Sequence, residues 1–291
     1  MQQSSLKVAI TGANGFVGRT VGKVLSKKGI SVIRVVRKGK ESSVGFGDSL
    51  ISEDLSENYL ASRLQGYSAL LHFIGRGRQT VDSDYQKVNV NLTKNAINLC
   101  KKAKIKKIIY ISGLGVSRDT TFGYFISKFQ AEQEIINSGI NYTIFRASYI
   151  IGKDDPLSCL LFKQIKKGTI TVPGSGRYRL QPIFVGDVAE VIFKSLTQQK
   201  FSNKIIDLVG PKIITFNDYV IDFLQGKKIP IKNVNLENAY HTALHNPKSD
   251  FGIDDLSILI GDYVGNHKKL KNMTGIEFKT YKMILKASGL S

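Results

Sequence analysis

The first half of the chain alternates two patterns of apolar positions. Short, near-continuous runs of Val, Ile and Leu at 6–11 (LKVAIT), 31–36 (SVIRVV), 69–75 (ALLHFIG), 106–112 (KKIIYIS) and 141–146 (NYTIFR) predict strands covered on both faces. Between them, amphipathic patterns predict helices over 15–28, 56–66, 82–102 and 122–137. Strand and helix in turn, with short connections, imply a parallel, doubly wound sheet of the α/β Rossmann type. From about residue 153 the rhythm changes. The stretch to 182 carries turn signals (DDP, VPGSG), 182–196 returns to a helical pattern, and 205–291 mixes short apolar runs with polar loops. The expected division is a core over 1–152, with 183–207 packing back onto it. A smaller mixed C-terminal region, 153–182 and 208–291, would complete one compact unit.

The first strand runs into Thr11-Gly12-Ala13-Asn14-Gly15-Phe16-Val17-Gly18, which then opens a helix. Glycine at these positions allows a tight turn at Gly12, close approach of a pyrophosphate at Gly15, and close packing of the helix at Gly18. The helix N-terminus adds free N–H groups and a positive dipole end. Strand, turn, helix and second strand follow in order, so the turn reads as a dinucleotide site.

The three-residue spacing of its glycines resembles the extended or atypical branch of the short-chain dehydrogenase/reductase superfamily, the NAD-dependent epimerase/dehydratase family. EDLSENYLASRLQGYSALLHFIG is similar to that branch's Asp-Leu loop, helix and fourth strand, and VNVNLTKNAINLC to its Asn-bearing helix. YFISKFQAEQEII carries its Tyr-x-x-x-Lys, and LQPIFVGDVAEVI and DLVGPKIITFNDYV resemble its downstream segments. YISGLGVS and VPGSGRYRLQPIFVGDVA most resemble the group of the dehydrogenase-like accessory subunit of respiratory complex I and its prokaryotic relatives. The resemblance implies that Asp54 and Leu55 border the adenine and that Lys128 bonds the nicotinamide ribose. The cofactor-binding set expected is Thr11, Gly12, Asn14, Gly15, Phe16, Val17, Gly18, Arg37, Lys38, Asp54, Leu55, Gly75 and Lys128.

Charge decides between the two dinucleotides. An NAD site places an acid on the ribose 2′-hydroxyl about 20 residues past the glycines. Here the second strand ends VVRKGKE, with Val36 at the acid's place and Arg37 and Lys38 following. A guanidinium grips a 2′-phosphate that a carboxylate would repel, so NADP(H) is favoured over NAD(H).

Tyr124 and Lys128, four apart on a predicted helix, share one face. A phenol ionises near pH ~10 and needs a neighbouring cation to exchange a proton at neutrality. The resemblance supplies a third member, a Ser or Thr ending the fifth strand to bond the substrate oxygen. That place falls on Gly113 here, with Ser112 one residue early and Ser117, Thr120 and Thr121 in the loop beyond. Asn89 is a weaker candidate on the long helix, Arg146 ends the sixth strand before Ala147, and Asp187 is read as a helix cap.

Two function classes follow. One is an NADP(H)-dependent oxidoreductase, or an epimerase/dehydratase-like enzyme, acting on a small molecule through Tyr124 and Lys128. The other is a non-catalytic NADP(H)-binding structural or redox-sensing subunit of a larger, respiratory-type assembly, which Gly113 motivates.

Bulk properties change this little. The net charge of +19 is spread over short runs such as KKAKIKK (101–107) and HKKLK (267–271), without the aromatic interleaving of a specific nucleic-acid surface. It leaves peripheral contact with an anionic membrane or an acidic protein open. No apolar run approaches a transmembrane span, and MQQSSLKVAIT leaves no room for a leader. Two distant cysteines, Cys100 and Cys159, fit a reducing cytoplasm and no zinc–thiolate site. Glu237, His241 and His245 recur at intervals of four but match no metal-site spacing, so a structural reading is expected there.

Overall fold

The computed structural model describes residues 6–41, 45–80, 83–246 and 248–287. Its first half runs β1 (Lys7–Thr11), α1 (Phe16–Lys27), β2 (Ser31–Val36), β3 (Asp48–Ile51), α2 (Asn58–Arg63) and β4 (Ala69–His72). A π-helical turn (Gln86–Asn91) then continues into α3 (Leu92–Ala103), followed by β5 (Lys107–Gly113), α4 (Gly123–Ile136) and β6 (Asn141–Ala147). The second half opens with β7 (Ile150–Ile151), α5 (Pro156–Lys166), β8 (Ile170–Pro173), β9 (Arg179–Leu180), β10 (Ile183–Phe184) and α6 (Val185–Thr197). It ends with β11 (Lys204–Leu208), β12 (Ile214–Thr215), α7 (Phe216–Leu224), β13 (Ile231–Val234), α8 (Leu236–His245), α9 (Ile253–Leu259), α10 (His267–Thr274) and α11 (Tyr281–Ala287).

Seven strands form one sheet in the order β11-β6-β5-β4-β1-β2-β3, and every neighbouring pair is parallel. This is the doubly wound α/β architecture expected from the alternation of patterns. One face is packed by α1 and α6 around Val21, Leu25, Val188 and Ile192. The other is packed by α2, α3 and α4 around Leu60, Ile97 and Ala131. Helix α1 shows why the sequence folds so. Gly18, Val21, Gly22 and Leu25 fall on one buried stripe, and Gly22 leaves room for the Phe46 ring. A third cluster gathers α5, α7, α9 and α11 around Phe216, Tyr219, Phe223 and Leu256.

Three expectations need correction, and one strand went unannounced. Strand β3, DSLI, has no continuous apolar run to announce it, because it lies at the sheet edge. The strand at 69–75 stops at His72, so Phe73–Gly75 leave the sheet as loop. The 182–196 segment begins as β10 before turning into α6. Asp187 does not cap α6; Phe184 holds the cap position, and the Asp187 carboxylate accepts the Lys279 N–H at 2.8 Å from the C-terminal segment. The expected start of the long helix at Asp82 lies outside the described residues, as do residues 1–5 of MQQSSLKVAIT. Among the described residues no helix is long and apolar enough to cross a membrane.

Candidate active site

The glycine turn leaves the C-terminal end of β1 at the centre of the sheet, where strand order reverses and parallel sheets open a crevice. Gly12 has φ +71°, and a Cβ there would meet the Phe73 and Ile74 backbone at 2.8–2.9 Å. Only glycine meets both demands. Gly18 stands against the turn itself, its virtual Cβ 2.3 Å from the Gly12 oxygen. No side chain caps the N-terminus of α1 and no acid lies in its first turn, while Gly15, Phe16, Val17 and Gly18 line the cleft. Orphan N–H groups beside an open cleft suit the phosphates of a dinucleotide.

Arg37 and Lys38 follow β2 and are exposed. Their turn is tied to the glycine turn by the Asn14 side-chain amide, which donates to the Lys40 carbonyl at 2.7 Å. The acid of this turn, Glu41, accepts the Gly39 N–H at 3.0 Å. Three expected cofactor residues stand elsewhere. Thr11 is fully buried, with its hydroxyl 2.7 Å from His72 Nδ1. Leu55 packs into the core behind the sheet, and the Asp54 carboxylate accepts the N–H and hydroxyl of Ser56. None of the three lines the cleft.

Helix α4 brings Tyr124 and Lys128 to the cleft wall together with Gly75 and Gly113. Lys128 is 3% exposed; its ammonium donates to the Ile111 carbonyl at 2.8 Å and lies 4.1 Å from the centre of the Tyr110 ring. Burial pulls its pKa down to about 7, against the opposing pull of the Glu132 carboxylate. Glu132, one turn on and fully buried, accepts two bonds from Arg146 of β6, at 2.6 and 3.0 Å. Tyr124 is half-buried, and burial raises its pKa to about 12. Its hydroxyl makes no hydrogen bond among the described residues.

Gly113 is the strand-end position that faces the tyrosine. A Cβ there would stand 3.8 Å from the Tyr124 hydroxyl and 3.4 Å from the Phe125 ring. Ser112 also lines the cleft, is 3% exposed, and its Oγ has no hydrogen-bond partner among the described residues. Ser117, Thr120 and Thr121 do not line it.

Asn89 sits in the π-helical turn, fully buried. It accepts the Arg76 N–H, donates to the Arg76 carbonyl and donates to Ser127 Oγ at 2.8 Å. It thereby clamps the loop after β4 to α4, and a Cβ at Gly75 would stand 3.5 Å from the Lys128 ammonium. Sequence reading passed over His72. Its ring joins Thr11 to Thr93, and Thr93 donates to the Asn89 carbonyl, forming a buried relay from the glycine turn to the Asn89 clamp. Burial, with Lys128 nearby, lowers its pKa to about 3 and keeps the ring neutral. His241 and His245 instead lie on one exposed helix face, their tilted rings 4.3 Å apart between centres.

The cleft that joins these groups has a volume of about 700 Å³. It is closed on the far side by α5, α9 and Tyr263. No pattern in 250–263 announced a site, because these residues reach the cleft only through tertiary packing.

Comparison with known proteins agrees with this fold. The chain is 25% identical over 226 residues to NADH dehydrogenase (ubiquinone) 1 alpha subcomplex subunit 9, mitochondrial, of Arabidopsis thaliana, covering 74% of this chain and 56% of the plant protein. It is 26% identical over 248 residues to the N-acetyl-alpha-D-glucosaminyl-diphospho-ditrans,octacis-undecaprenol 4-epimerase of Escherichia coli O157:H7, covering 77% and 73% of the two chains. Both groups singled out by the motifs are thus among its relatives. The chain spans little over half the length of the plant protein. In fold it resembles a UDP-glucuronic acid 4-epimerase from Bacillus cereus solved with UDP-glucuronic acid and NAD (TM-score 0.76, 17% identity, 97% and 98% coverage). A UDP-glucose 4-epimerase from Thermotoga maritima solved with UDP-glucose is similar (TM-score 0.74, 18% identity, 97% of each chain). The sequence profile of the NAD(P)H-binding family matches residues 12–199, and the chain belongs to that family.

Proposed function

We propose that the chain is an NADP(H)-dependent oxidoreductase that exchanges a proton with its substrate through Tyr124. The observation that carries this reading is the convergence of the glycine turn, Lys128, Tyr124 and the open face of Gly113 on one cleft. Gly15 through Gly18 would hold the pyrophosphate, Arg37 and Lys38 the 2′-phosphate, and Gly75 and Lys128 the nicotinamide ribose. Arg37 and Lys38 favour the phosphorylated cofactor, since Asn14 draws their turn to the phosphate cradle and the Glu41 carboxylate is engaged by the Gly39 N–H. When bound, the nicotinamide supplies or accepts the hydride.

The protein's own part is proton transfer and orientation. Burial keeps the Tyr124 phenol protonated at neutral pH, so it is poised to donate to a developing alkoxide. Charged Lys128 lies on the same helix face and favours the phenolate left behind. Asn89 and His72 hold the loops and touch no reacting atom. Two unpaired cysteines, one buried and one exposed, suit a reducing cytoplasmic setting.

The second reading, a subunit that holds NADP(H) without turning it over, is favoured by Gly113 and by the unbonded Tyr124 hydroxyl. Calorimetry with NADPH and NADH, followed by a carbonyl panel with wild type and Tyr124→Phe, separates the two. The enzyme reading expects tighter NADPH binding, retained in the variant, with turnover reduced about 100-fold or more. NADPH binding without turnover in wild type would establish the second reading. Equal binding of both dinucleotides would remove the cofactor preference.

A further inference from the structure

Beyond Tyr124 the cleft is walled by Leu157 and Leu160 of α5, Phe251, Ile258 and Leu259 of α9 and its lead-in, and Tyr263. Among the described residues, the charged side chains on this wall are all held within the protein. The Asp155 carboxylate accepts the Gly152 N–H at 3.1 Å and the Ser158 N–H and hydroxyl at 2.8 and 2.6 Å. It therefore occupies the N-terminus of α5, where a phosphate would otherwise find free N–H groups. Asp250 is paired with Lys163 and Lys167 at 3.0 and 2.7 Å. Arg78, the one arginine on the cleft wall among the described residues, is paired with Asp255, while the neighbouring Gln79 N–H is held by Asp254.

A sugar nucleotide brings a diphosphate into its site, and burying that charge without a free cation is costly. This wall offers three carboxylates, one arginine already paired with an acid, and the apolar side chains named above. We propose that the substrate end of the cleft takes an uncharged carbonyl compound with an extended apolar body, an aliphatic or aromatic ketone or aldehyde. The carbonyl part rests on the reading of Tyr124 as proton donor; the apolar class rests on the wall alone. Ile258 lies 3.7 Å from a virtual Cβ on Gly77 and is half-buried, as is Leu160, so both can be changed without opening the core.

The test uses the full chain saturated with NADPH and the uncharged fluorophore N-phenyl-1-naphthylamine. Saturable one-to-one binding is expected, displaced by 2-undecanone and not by UDP-glucose at equal concentration. Ile258→Glu and Leu160→Glu should each weaken the probe about tenfold or more, with circular dichroism and NADPH affinity unchanged. Displacement by UDP-glucose but not by the ketone overturns the inference, as does unchanged probe affinity in both variants. Each preparation is also titrated with NADPH alone. Loss of nucleotide binding with probe binding intact sinks the proposed function and leaves the apolar cleft standing.

Discussion

A Cβ added to Gly113 would lie 3.8 Å from the hydroxyl of Tyr124, with ordinary clearance from its other neighbours. The missing hydroxyl is therefore a vacancy in side chain and not in space, and Gly113 is not among the residues with positive φ. Gly113→Ser should fold like wild type. If the protein reduces carbonyls, the added bond to the substrate oxygen should raise kcat/KM about tenfold, the worth of ~1.4 kcal/mol. Steady-state kinetics on the two proteins decides it; a variant no faster than wild type would show that the substrate oxygen never sits beside this position.

Arg37→Ser should separate the dinucleotides. Loss of a charge-assisted pair with a 2′-phosphate is expected to weaken NADPH by roughly 10- to 100-fold. NADH should change by less than about twofold. Calorimetric titration with each nucleotide reads the difference, and an equal loss for both would reduce Arg37 to general surface charge.

Lys128 should make stability and turnover respond oppositely to pH. Its folded pKa, about 7, lies below its ordinary value of 10.5. Between those values the unfolded chain binds the extra proton, so stability rises with pH across that window. If Tyr124 exchanges the proton with the charged ammonium present on the same helix face, turnover should fall as pH rises through about 7. Comparing melting temperatures of wild type and Lys128→Met from pH 7 to 10 isolates this group. Parallel curves for the two proteins would contradict the shift.

Glu132→Ala should be among the more damaging changes near the site. It leaves Arg146, three-quarters buried, without the carboxylate that accepts both of its bonds, at a cost of about 3 kcal/mol. It also removes the negative charge that supports the Lys128 ammonium. Urea unfolding measures the first effect. The second should move the downward limb of the pH–rate profile to lower pH, a shift that a purely structural role would not produce.

Much of the fold was legible because its signals are local. Buried parallel strands need unbroken Val and Ile runs, and the glycine turn needs residues without a Cβ at fixed places. Strand β3 escaped because four residues at a sheet edge bury too little to impose a pattern. Asp187 was misread because an acid in the first turn of a helix looks like a cap, while its actual partner is 92 residues away.

The site divides in the same way. Tyr124, Lys128 and Gly113 could be named from spacing, since a helix face and a strand end are short-range facts. Sequence alone established the glycine cradle, the paired Tyr and Lys, and Val36 in place of an acid at the end of β2. Tertiary structure alone decided that Thr11 turns to His72, that Leu55 belongs to the core, and that Glu132 and Arg146 stand behind Lys128. It also decided that α9 closes an apolar wall opposite α5. Each of these depends on which elements the sheet order brings together, and distant packing leaves no periodic mark on the chain.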